Sequence, residues 1–64
     1  MSLLEKKDFL MRIKICRKEA KESCYWLRLI DTNSNERLEA KRNELIQEAS
    51  ELMNIFGSIY RKSV

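Results

Sequence analysis

The stretch Leu27-Arg28-Leu29-Ile30-Asp31-Thr32-Asn33-Ser34-Asn35-Glu36-Arg37-Leu38 decides the fold. Its middle, Asp31 to Asn35, is the only cluster of turn formers in the chain, short polar side chains that compete for local backbone groups and interrupt a helix. Upstream, Phe9, Ile13, Cys16, Ala20, Ser23, Leu27 and Ile30 step by 4, 3, 4, 3, 4 and 3 residues. Downstream, Leu38, Arg42, Leu45, Ala49, Leu52, Phe56 and Ile59 repeat the same steps. A repeat of 3.5 residues is the seam of supercoiled helices. A five-residue turn between two such helices makes them antiparallel neighbours. The spacing predicts an all-α, coiled-coil-like hairpin spanning 1–64, with helices over about 3–30 and 36–61 and a turn over 31–35.

The ends of these segments carry the expected signals. Ser2-Leu3-Leu4-Glu5 fits a capping box, in which serine and a glutamate three residues later satisfy two orphan backbone donors. Asn33 or Ser34 is placed to cap the second helix, with Glu36 favourable against its dipole. Arg61 and Lys62 suit its C-terminal end. Gly57 lies inside the last turns, where glycine costs about 0.8–1 kcal/mol relative to alanine. It marks either a fraying terminus or a close approach by another helix.

Composition removes most chemistry. With no histidine, the histidine-dependent nucleophile systems and His-ligated zinc are excluded. One glycine cannot build a phosphate loop or a dinucleotide fingerprint. The carboxylates Glu19, Glu22, Glu44, Glu48 and Glu51 lie off the seams and read as helix solubility and ion pairing. The expectation is a non-enzymatic protein with no catalytic residue, cofactor, metal or small-molecule substrate. Cys16 and Cys24 fall about 12 Å apart along one helix, too far for a bridge, and read as small apolar residues in a reducing compartment. No apolar run suits a membrane span and the N-terminus does not read as a signal peptide, so the expected location is the cytoplasm.

More apolar material remains than one hairpin seam can use. Met11, Ile15, Trp26 and Leu29 fall within about 60° of one another, on a stripe roughly 130° from the first. Ile46, Met53 and Tyr60 recur every seven residues beside the second seam. These seven residues are the expected oligomer interface. Two hairpins closing a four-helix bundle are the simplest solution, so the expected partner is a second copy, as a homodimer, with higher oligomers open. A 64-residue chain also buries too little surface alone to be robust.

Charge is unevenly placed. Residues 3–30 carry eight bases and four acids, and residues 36–60 carry three bases and five acids. Lys7, Lys14, Lys21 and Arg28 recur every seven residues, flanked by Arg17 and Lys18. This ridge spans about 32 Å and could follow the phosphates of RNA or DNA. The alternative is a solvated face paired with the glutamates of the second helix. The alternative function is therefore a nucleic-acid-binding accessory module.

Asp8-Phe9, then Glu19-Ala20-Lys21-Glu22-Ser23 and Tyr25-Trp26-Leu27-Arg28-Leu29, resemble the third helix of a bacterial four-helix-bundle family. Those proteins are products of intervening sequences within 23S ribosomal RNA genes. Glu48-Ala49, Glu51-Leu52 and Ile55 to Ile59 resemble the family's last helix. The resemblance covers nearly the whole chain and corresponds to the family's C-terminal half; nothing here matches the two helices that precede it in other members. It implies a homo-oligomeric four-helix bundle without enzymatic activity. A more distant likeness to basic accessory proteins of retroelements implies nucleic-acid or reverse-transcriptase binding.

Overall fold

The computed structural model describes residues 2–64. Helix α1 runs Leu3–Leu29 and helix α2 runs Glu36–Ser63, and the two pack against each other as an antiparallel hairpin. The capping box forms. Ser2 Oγ accepts from the Glu5 amide at 3.2 Å, and Glu5 Oε2 accepts from the Ser2 amide at 3.2 Å.

The turn is held by its own side chains. Asp31 Oδ1 accepts from the Asn33 amide at 2.8 Å, and the Thr32 carbonyl accepts from the Asn35 amide at 2.9 Å. Asn33 and Ser34 adopt left-handed φ values of 52° and 61°. That pair of conformers reverses the chain, so neither residue caps α2. The N-cap is Asn35, whose Oδ1 accepts from the Leu38 amide at 3.1 Å. Thr32, 5% exposed, donates its hydroxyl to Glu39 at 3.1 Å, and Arg42 Nη1 donates to the Ile30 carbonyl at 3.0 Å. Both contacts pin the turn to the first turns of α2.

The centre of the hairpin is built from small residues. Ala20 and Cys24 of α1 and Ala49 and Gly57 of α2 are buried, while no large side chain is fully buried. Cys24 Sγ lies 3.8 Å from both the Ile46 carbonyl and Ser50 Oγ. This corrects the seam expected from spacing: Cys16 and Ser23 are exposed, and Cys24 faces α2 instead. The physical reason is size. Helices that meet on Ala and Cys leave little room between them, and Leu27, Ile30, Leu38, Leu45 and Leu52 of the apolar repeats line one side of the contact. The result is a rod of 51 × 15 × 12 Å with a radius of gyration of 15.3 Å. A compact 64-residue domain would have a radius of about 11 Å.

Candidate functional site

The two long sides of this rod differ in chemistry. On one side, Ser23, Trp26, Leu27 and Ile30 of α1 face Leu45, Glu48, Ala49 and Leu52 of α2 across an open groove of about 460 Å³. The groove continues toward the turn between Leu27, Ile30, Leu38 and Leu45. Leu38, Leu52 and Ile30 remain about half exposed, and Trp26 is 63% exposed. Spacing alone assigns Leu27, Ile30, Leu38, Leu45 and Leu52 to the seam within the hairpin. The structure instead places them along an unfilled apolar channel. Ala20 and Ala49 of those seams are buried at the contact, and the positions that spacing leaves out are Cys24 and Gly57, both buried beside them.

The seven residues expected at an oligomer interface do not share one surface. Trp26 borders the apolar groove. Met11, Ile15 and Leu29 are exposed on α1. Ile46, Met53 and Tyr60 are half-buried, and each has neighbours on α1: Cys24 beside Ile46, four basic side chains around Met53, and Lys7, Leu10, Met11 and Lys14 around Tyr60.

The second side is basic. Lys14, Arg17, Lys18 and Lys21 surround Met53 in one depression. Lys14 Nζ sits 5.2 Å from the centroid of the Tyr60 ring, within cation–π range. Lys18 and Lys21 border Tyr25 and Glu22 in the next depression. Arg28, the last residue of the sequence ridge, is exposed in the final turn of α1, apart from these clusters. Lys21 and Ser23 are two residues apart, hence about 200° around the helix, which puts the basic side roughly opposite the groove.

Charge pairing across the hairpin does not account for this side. The ion pairs among the described residues are Arg12–Asp8 at 2.8 Å, Lys18–Glu22 at 4.0 Å and Lys41–Glu44 at 3.7 Å. All three lie within one helix, and none joins α1 to α2. Lys7, Lys14, Arg17 and Lys21 thus have no carboxylate partner among the described residues. The glutamates of α2 expected to pair with the ridge point elsewhere: Glu39 accepts from Thr32, Glu44 pairs with Lys41 and Glu51 accepts from Gln47.

Among the described residues, no cluster of three His, Cys, Asp or Glu side chains could hold a metal, and both cysteines are free thiols. No described helix is long and apolar enough to cross a membrane. No protein-family model matches the chain, and no curated protein or solved structure matches it at a significant level.

Proposed function

We propose that this chain is a non-enzymatic self-association module, in which two hairpins pack groove to groove and close a four-helix bundle. The exposed area carries the reading. The hairpin presents 5403 Å² to solvent, whereas a compact monomer of 7.7 kDa exposes about 4,300 Å². Two separate hairpins therefore expose about 10,800 Å², against about 7,200 Å² for one compact body of twice the mass. The difference, about 3,600 Å², falls in the range of obligate homodimers. The groove provides the apolar surface for it, and a second copy supplies matching Leu and Trp side chains by symmetry. The likeness of Glu19 to Leu29 to the third helix of the intervening-sequence bundles supports the same assembly, with the second pair of helices contributed by another copy.

Light scattering combined with circular dichroism across a dilution series tests this. The expected mass at micromolar concentration is twice 7.7 kDa, with helicity falling on dilution. Trp26→Asp should reduce mass and helicity together, because it sets a charge into the groove. A folded, fully helical monomer at micromolar concentration would refute the proposal.

A second reading is favoured by Lys7, Lys14, Arg17 and Lys21, which have no carboxylate partner among the described residues: the dimer is a nucleic-acid-binding accessory module whose outer sides carry these four with Lys18 and Arg28. Binding of this kind weakens steeply with salt through counterion release. If changing Lys14, Lys21 and Arg28 together to alanine leaves RNA retention unaltered, this reading fails.

A further inference from the structure

Gly57 is the only glycine of the chain, and it is buried in α2 beneath a side chain of the other helix. A Cβ at this position would lie 3.5 Å from Nε and Cζ of Arg17 and 3.3 Å from Nη1 of Arg61. Two guanidinium groups, one from each helix, therefore converge on a single point of the basic side. Neither is ion-paired with a carboxylate among the described residues. Lys14, Lys18 and Lys21 border the same depression as Arg17, and Met53 lies in it. An anion placed between two such groups offsets their mutual repulsion. The planar forks of two arginines match the oxygens of a phosphate, which can accept from both at once.

We infer that the notch over Gly57 is a phosphodiester site, at which Arg17 and Arg61 hold one backbone phosphate of a nucleic-acid strand. Lys14, Lys18 and Lys21 engage the phosphates beside it. This inference rests on the nucleic-acid reading of the basic side and adds the position that fixes the strand's register on the rod. It also gives the glycine a purpose. A side chain at position 57 would occupy the space in which the two guanidinium groups meet, so helix propensity yields to the site. A linear polyanion fits better than an isolated ion, because the bases continue away from the notch as a line, with Lys7, Lys14 and Lys21 spaced by about 10.5 Å of helix rise.

The test uses the full chain and a fluorescein-labelled 20-nucleotide single-stranded RNA, followed by anisotropy at low salt. Arg17→Gln and Arg61→Gln should each weaken binding by about fivefold or more and flatten the salt dependence by about one phosphate contact. Arg37→Gln, charge-matched but placed at the turn end of α2, should weaken it by less than about twofold. Gly57→Met fills the notch with a better helix former and should weaken RNA binding while leaving the helical content intact. If Arg17→Gln and Arg61→Gln do no more than Arg37→Gln while Lys14→Ala with Lys21→Ala abolishes binding, the notch is refuted and the wider basic surface stands. If the unaltered chain does not bind the RNA at all, both ideas fall. Binding to phosphatidylglycerol vesicles, lost in Arg17→Gln, with none to RNA, would overturn the assignment of a nucleic-acid occupant.

Discussion

Leu52→Ala tests the groove most directly. Leu52 lines the apolar channel and is 47% exposed in the hairpin, so roughly half of its surface is already covered. Full burial of a leucine side chain stabilises by about 1.5–3 kcal/mol. The half left for a second copy to cover is then about 1 kcal/mol. A symmetric dimer contains the residue twice, which makes about 2 kcal/mol per dimer, or about 30-fold in the dissociation constant. Alanine is at least as good a helix former as leucine, so the hairpin itself should not fray. Trp26 supplies the assay. It is the single tryptophan, it borders the same groove, and it is 63% exposed before association. Its emission should shift to longer wavelength as dilution separates the copies, and sedimentation should report the same midpoint. Leu4→Ala provides the control, since Leu4 is 80% exposed and does not line the groove. Should the Leu52→Ala midpoint move by less than about threefold, or should Trp26 emission be independent of concentration, the groove is not the surface of association.

Three further perturbations probe the hairpin, each by chemical denaturation at one fixed protein concentration. Ala49→Leu forces bulk into the close helix contact and should destabilise by about 1–3 kcal/mol, whereas Ala40→Leu, exposed on the same helix, should stay within about 0.5 kcal/mol; equal effects would mean that α1 and α2 do not meet at Ala49. Ser34→Gly relieves a left-handed conformation at φ 61° and should stabilise by about 0.5–1 kcal/mol, so a clear loss of stability would contradict the turn geometry. Ser2→Ala removes one arm of the capping box and should cost about 1 kcal/mol, with the loss of helicity confined to the first turns of α1. No change in either quantity would show that the box does not form in solution.

The residues of the turn make the hairpin legible in the sequence. Asp31 to Asn35 break the helix with polar side chains, and two long 3.5-residue repeats on either side leave little choice but antiparallel helices. The capping box is equally readable, because it depends on residues three apart in one stretch of chain. The N-cap of α2 is not: Asn33, Ser34 and Asn35 have similar capping chemistry, and the left-handed conformers at 33 and 34 decide among them. The face of each helix that meets the other is also ambiguous. Spacing places Ala20 and Ala49 correctly at the contact, but it also puts Cys16 and Ser23 there, which are exposed, and leaves out Cys24, which is buried.

Local and periodic features are written in the chain itself: two amphipathic helices, one reversal, a surplus of apolar side chains and a line of bases every seven residues. Where those stripes point depends on how the two helices pack. Because the helices close on Ala20, Cys24 and Ala49, Leu27, Leu45 and Leu52 stand along one open groove and the bases stand on the other side without partners on α2. The convergence of Arg17 and Arg61 over Gly57 belongs to the same class of fact. These two arginines lie on different helices and share no sequence pattern. The axial register of the helices, which sequence periodicity leaves free, is what brings them together.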